Sequence, residues 1–337
     1  MPYKAVFVTE RSERHQQAMR DVAPPEIDLI ILHKPDVDTL KEHLMDALYL
    51  ISERRGVIDA DLLNSAPELQ LILRLGSQTH DIELDAAKER NIAVTYWSQG
   101  SVTRVAEHVI MQMLVLLKKV IDARKVSLNA SDEWGESKRT DENTFAYNWS
   151  NRQYVQGLHG KTIAMLGFGE IGVEIARRLM GWNVSVLYNK RQKLPELVEQ
   201  QLQINYADTD TIFQESDVLV NLLPYSAQTK FSINSERLAQ MKSTAMLVSA
   251  GSGSIIDEQA LADAVKNSKL AGIALDTYEY EPLRADNPLL QLAREEYNIL
   301  LTPHIAAGTM SNLDERREHY SNILRHIHGE ALINRLA

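Results

Sequence analysis

The 337-residue sequence predicts an α/β protein built on doubly wound parallel sheets. Three observations carry that prediction. Short β-branched or apolar runs alternate with amphipathic stretches from the first residues onward, the pattern of βαβ units. A glycine-rich segment falls between one such run and a helix. The composition, 44% hydrophobic and 24% charged, is ordinary globular usage in a chain long enough for two cores.

The first runs, Ala5 to Thr9, Leu29 to Leu32, Leu48 to Ile51, Leu69 to Leu75 and Ile92 to Thr95, read as strands, with helical stretches such as Ile82 to Arg90 between several of them. They make a first small α/β unit. From Val102 to Lys119 the period becomes helical, apolar along Val105, Val109, Met113, Leu116 and Leu117, and long enough to carry the chain between domains. Residues 122 to 158 lose clear periodicity and hold Trp134, Phe145, Tyr147, Trp149 and Tyr154 among polar residues. Such a run is a lid or an arm. Its aromatics either fold back onto their own domain or are buried on a second subunit. A clearer series of strands follows: Thr162 to Leu166, Val184 to Tyr188, Asp217 to Leu223, Ala245 to Ser249, Ile273 to Asp276 and Ile299 to Thr302. Helical stretches at Ile171 to Met180, Ser235 to Met241 and Glu258 to Asn267 separate them, so this half is a doubly wound sheet.

Aspartate and glutamate outnumber lysine and arginine by 46 to 36, a formal charge of −10, which argues against a nucleic-acid or membrane surface as partner. The absence of cysteine excludes disulfides, thiolate catalysis and cysteine-bound zinc. The opening MPYKAVFVTE has no secretory apolar stretch and reads as the first strand of a cytoplasmic protein. The longest apolar stretch, Val109 to Leu117, is interrupted by Gln112 and is too short for a bilayer. His326 and His328 lack further ligands at metal spacing.

Gly167-Phe168-Gly169-Glu170-Ile171-Gly172 follows a strand and opens a helix. A dinucleotide site needs those glycines for a tight turn, for backbone approach to a pyrophosphate, and for close helix packing, with amide donors at the helix start facing the anion. The Rossmann-type reading follows from that placement. The next strand runs into Asn189-Lys190-Arg191, where an acid would bind the ribose 2′-hydroxyl of NAD. That acid is missing. Asn189 can bind a hydroxyl, while Lys190 and Arg191 put positive charge where a 2′-phosphate would lie. NADP(H) is therefore the favoured cofactor and NAD(H) the alternative; the competing explanation, given less weight because the acid is missing, is that two basic turn residues are merely solvated.

Asp276-Thr277-Tyr278-Glu279-Tyr280-Glu281-Pro282 and Thr302-Pro303-His304 fall just past strand C-terminal ends, the edge where open α/β sheets bind ligands. A histidine paired with a glutamate is a usable general acid and base for carbonyl reduction.

With these motifs the sequence resembles, over nearly its whole length, the D-isomer-specific 2-hydroxyacid dehydrogenase family, including glyoxylate/hydroxypyruvate reductases and D-lactate dehydrogenases. The resemblance implies a flavodoxin-like substrate domain at 1–103, completed by 305–337, and a dinucleotide-binding domain at 104–304. It implies closure of the two over a small 2-oxo or 2-hydroxy acid, and a homodimer formed through the cofactor domain and the arm at about 122–158. It assigns His304 as acid/base, Glu281 as its partner, and Asp276 and Thr103 as cofactor contacts. Leu75, Gly76 and Ser77 match the loop whose backbone amides hold the substrate carboxylate. One match fails: in Ser249-Ala250-Gly251-Ser252-Gly253, Ser252 stands where the family pattern has its catalytic arginine. A hydroxyl cannot reproduce a bidentate guanidinium. Three readings follow: a D-2-hydroxyacid-forming reductase helped by another basic residue such as Arg74 or Arg104, a dehydrogenase for a non-standard substrate, or a cofactor-sensing binding protein.

Overall fold

The computed structural model describes residues 2–53, 56–98, 100–295, 297–308 and 312–337. They form two compact units, one of the residues up to Thr103 together with those from Thr309, the other from Arg104 to Gly308. The chain thus returns to the first unit four residues later than the expected 305.

In the first unit β1 (Tyr3–Thr9), β2 (Ile27–His33), β3 (Tyr49–Ser52), β4 (Leu71–Leu75) and β5 (Ala93–Trp97) form one parallel sheet in the order β2-β1-β3-β4-β5. This is the flavodoxin-like order. β3 and β4 are buried along their whole length, as their mainly apolar runs, interrupted only by Ser52 and Arg74, require of strands covered on both faces. Alternate residues feed different cores. Val6, Val8, Leu50 and Ile72 pack with Leu40, Leu44 and Leu63 on one face, while Ala5, Phe7, Ile51 and Leu73 pack with Met19, Tyr320 and Ile323 on the other. The chain's last residues complete the unit: Tyr320 donates its hydroxyl to Met19 O at 2.8 Å and Leu336 its N–H to Val94 O at 2.8 Å.

The second unit holds β6 (Thr162–Leu166), β7 (Ser185–Asn189), β8 (Asn205–Tyr206), β9 (Val218–Asn221), β10 (Met246–Ser249), β11 (Gly272–Leu275) and β12 (Ile299–Leu301). All pair in parallel, in the order β12-β11-β10-β9-β6-β7-β8. The order reverses between β6 and β9, which opens a crevice at their C-terminal ends. β9 is shorter than expected because the buried Asn221 takes the N–H of Leu223 on its Oδ1 at 3.1 Å and turns the chain out of the sheet. β8 is two exposed residues with no apolar run to announce it.

The helix Gly100–Leu117 carries the chain from the first unit to the second. By length and a mean hydropathy of 1.2 it passes for a short membrane span, a property the interrupted apolar run concealed. Ala106, Val109, Met113, Leu116 and Leu117 are nevertheless buried in the core of the second unit, as in a core helix of a globular protein. The segment from 122 to 158 is not wholly irregular, contrary to expectation. Lys119 adopts a left-handed conformation (φ 50) and a second helix runs Val120–Leu128 with no buried residue, so it has no apolar stripe to betray it. Beyond it Trp134 and Trp149 meet edge to face at 5.9 Å, and Arg152 lies over Trp134 while bonding Asp122 at 2.9 Å.

Candidate active site

The glycine segment occupies the turn from β6 into the helix Glu170–Leu179, beside the crevice where the strand order reverses. Its three glycines answer to three constraints. Gly167 has φ +86, and a Cβ there would lie 3.0 Å from the backbone of Leu222 and Leu223. At Gly172 a Cβ would meet the ring of Phe168 at 2.7 Å; that ring is buried against Tyr188 at 4.8 Å. Around Gly169, the helix N-cap, a Cβ would find no atom within 4 Å, and no side chain caps the helix. Open space beside a helix start, where backbone N–H groups point outward along the axis, fits a pyrophosphate. Glu170 and Ile171 begin the helix, each partly buried.

At the end of β7, Asn189 commits its side-chain amide to Ala207 O at 2.8 Å, keeping Oδ1 as an acceptor, and its backbone carbonyl takes the N–H of Gly167 at 3.1 Å. Lys190 is partly buried and Arg191 exposed.

His304 lies three residues past β12, in a left-handed conformation (φ 53) that costs a non-glycine residue on the order of 1 kcal/mol or more. Its surroundings hold it there. Asp276, only 1% exposed at the end of β11, accepts the Thr302 hydroxyl at 2.6 Å and the Ile305 N–H at 3.0 Å on one oxygen, and the Ala306 N–H at 2.8 Å on the other. Tyr278, whose phenol burial drives well above its usual range, donates its hydroxyl to Thr302 O at 2.9 Å. His304 Nδ1 is 2.7 Å from Glu281 Oε2, while Glu281 Oε1 accepts the Tyr278 N–H at 3.1 Å. A carboxylate can only accept, so Nδ1 carries the proton it shares with Glu281 and Nε2 is left to act. The imidazole, 58% exposed, is reachable from solvent.

A cleft of about 430 Å³ joins this pair to the loop after β10, lined among others by Ser252, Ser254, Thr277, Glu279, Glu281 and His304. The loop is fixed rather than free. Ala250 and Gly251 donate their N–H groups to Asn221 O at 3.2 and 3.0 Å, and Ser252 donates to Leu223 O at 2.9 Å. Thr277 bonds Gly251 O at 2.6 Å, and a Cβ on Gly253 would overlap the Tyr278 carbonyl at 1.9 Å. No lysine or arginine is among the lining residues described.

Two groups considered as substitutes for a missing cation are engaged elsewhere. Arg74 is fully buried in the first unit and bonds Asp81 at 2.9 Å; Arg104 donates Nε to Ala307 O at 2.5 Å. Leu75 ends β4, and Gly76 (φ +118) gives its N–H to Trp97 O at 2.9 Å, which removes it from the anion-holding amides expected there. Ser77 follows, nearly buried, and Thr103 lies in the first turn of the connecting helix.

A family model described as the NAD binding domain of D-isomer specific 2-hydroxyacid dehydrogenases matches residues 111–306. The chain belongs to the D-isomer specific 2-hydroxyacid dehydrogenase family. Among its relatives, a glyoxylate reductase of Thermofilum pendens is 30% identical over 89% of this chain and 85% of its own. Two solved structures are similar: a protein of Pyrococcus horikoshii OT3 (28% identical, TM-score 0.59, 100% of this chain and 95% of that one) and the D-lactate dehydrogenase of Aquifex aeolicus, solved with NAD and lactic acid (26%, 0.53, 97% and 96%).

Membership makes the protein an oxidoreductase of the 2-hydroxyacid dehydrogenase type, with a nicotinamide dinucleotide as cofactor and small 2-hydroxy or 2-oxo acids as the family's substrates. As a member of this family it shows bracing that its motifs alone did not reveal. Thr302, Tyr278 and Gly253 stand inside segments singled out for their neighbours, and only the folded loops show what each holds. The Gly253 spacing after Gly251 was the one available signal for a tight approach.

Proposed function

We propose that the protein reduces a 2-oxo acid to the D-2-hydroxy acid, with His304 as proton donor, Glu281 as its anchor and NADP(H) as preferred cofactor. The observation that carries this reading is the 2.7 Å His304–Glu281 pair, with Glu281 itself fixed by the Tyr278 N–H, at the C-terminal edge of the second sheet. A dinucleotide held at the glycine turn from β6 would supply the hydride for the carbonyl carbon. His304 Nε2 gives the proton to the carbonyl oxygen, and Glu281 keeps the ring oriented through the transfer. Asp276, with both oxygens committed to the 302–306 segment, would hold that segment beside the nicotinamide, and Thr103 would contact the cofactor as well. Asn189 Oδ1, Lys190 and Arg191 favour a 2′-phosphate through charge-assisted bonds.

Ser252 offers one neutral hydrogen bond in place of a guanidinium. Loss of one preorganised donor typically costs on the order of 100 to 1,000-fold in rate. A second reading, a cofactor-binding protein that turns over slowly or only with a non-standard substrate, is favoured by the cation-free lining of the Ser252 cleft.

The test follows NADPH absorbance with glyoxylate, hydroxypyruvate, pyruvate and a bulky aromatic 2-oxo acid, alongside cofactor binding, for the wild type, His304→Ala and Ser252→Arg. The expected results are turnover by the wild type, a loss of about 100-fold or more in His304→Ala with cofactor affinity retained, and a gain in Ser252→Arg. Wild-type turnover in His304→Ala removes that residue from the mechanism. NADPH binding without any turnover selects the second reading, and tighter binding of NADH than NADPH rejects the cofactor preference.

A further inference from the structure

Two side chains one turn apart on the connecting helix grip both ends of the segment that bears His304. Arg104 donates Nε to Ala307 O at 2.5 Å, and its Cδ and Nε lie 2.8 Å from where a Cβ on Gly308 would stand, so the stem covers a glycine at φ +80. His108 Nε2 lies 3.2 Å from Thr302 Oγ1 and 3.6 Å from Asp276 Oδ1. The Thr302 hydroxyl already gives its proton to Asp276, so the bond between His108 and Thr302 must be donated by Nε2–H. Burial lowers the pKa of His108 against the opposing pull of Asp276, in keeping with a neutral ring in this role. Spacing of four residues puts both side chains on one helix face. Between the two grips lies the left-handed His304. Both chain crossings between the units adjoin the clamp, since Arg104 is the first residue of the second unit and Gly308 its last.

We propose that Arg104 and His108 are positioning residues for the reduction: they hold residues 302–308 so that His304 keeps its left-handed backbone and its bond to Glu281. This rests on His304 being the proton donor. A misplacement of about 1 Å in a donor costs up to about 100-fold in rate.

The experiment compares Arg104→Met and His108→Leu, which remove the donors, with Arg104→Lys and His108→Gln, which keep one at similar reach. Expected is a fall in kcat of about 10- to 100-fold in the first pair, with KM for the 2-oxo acid and Kd for NADPH near wild type, and restoration in the second pair. In protein with 15N-labelled histidine, the His304 resonance, assigned by its loss in His304→Ala, should titrate at a shifted pH in the first pair and as in wild type in the second. Should His108→Leu not fold, His108→Asn, polar but too short for Thr302, carries the same expectation. Unchanged kcat and an unchanged His304 titration in Arg104→Met and the His108 variant overturn the clamp, whereas loss of turnover in His304→Ala then leaves the proton donor standing. Full activity in His304→Ala overturns that reading instead, and the titration alone decides the clamp.

Discussion

Gly169 and Gly172 are three residues apart and fail in different ways when given a side chain. At Gly172 the neighbour is the Phe168 ring, 2.7 Å from where an added methyl group would stand, and that ring is itself wedged against Tyr188, so Gly172→Ala should cost about 1–3 kcal/mol of stability as an overpacked core site does. At Gly169 an added Cβ would meet nothing within 4 Å beyond the adjoining chain and the backbone is extended, so Gly169→Ala should leave stability within about 0.5 kcal/mol. On the proposed dinucleotide reading its methyl group would instead stand in the path of the pyrophosphate. Calorimetric titration with NADPH should therefore show weakened binding in a variant whose melting curve is unchanged; equal affinity would mean that the dinucleotide does not pass this glycine. Ser252 is the opposite case at this scale, a residue whose backbone is fixed by Leu223 O while its side chain brings a hydroxyl and no charge to the cleft.

Elements whose burial repeats were legible, and those without burial were not. β1, β3, β4, β6 and β10 are apolar at nearly every position and buried on both faces, so their runs located them to within a few residues. β8 and the helix Val120–Leu128 bury nothing, so hydrophobic pattern carried no signal for either. Of the candidate site, the residue types at strand ends were readable; what Asp276, Tyr278 and Thr302 do was not, because it depends on hydrogen bonds between segments more than 20 residues apart. Phe145 and Tyr147, stacked at 6.4 Å and 86% and 81% exposed, are the part of the arm most in need of cover. We propose a second copy of the chain as that cover. Phe145→Ser with Tyr147→Ser should then lower the sedimentation coefficient from that of a dimer to that of a monomer, and a coefficient matching wild type would place the dimer contact elsewhere or nowhere.

At the scale of the whole molecule, acid should weaken the first unit through His319. This ring is 3% exposed, neither nitrogen has a hydrogen-bond partner among the described residues, and burial pushes its pKa from the ordinary 6.5 down to about 4, with Glu53 and Glu315 pulling upward and His15 and Arg316 downward. The folded chain therefore binds this proton less readily than the unfolded chain, so stability is intact above pH 6.5 and declines as pH falls toward 4, by about 1.4 kcal/mol per unit at most. Urea unfolding at pH 6.5 and pH 5 should differ by about 2 kcal/mol in wild type and by less in His319→Leu; an equal difference in both would clear His319 of the effect. The same unit is assembled from two separate stretches of sequence, since Tyr320 and Ile323 fill its core and Leu336 bonds the edge strand. On the ribosome, residues 104–308 must be translated between the two stretches, a wait of roughly 10–40 s at typical elongation rates. The nucleotide-binding unit is contiguous and can close during that interval, so the amino-terminal sheet, though made first, is the later of the two to become complete and the one exposed to proteases and chaperones in the meantime.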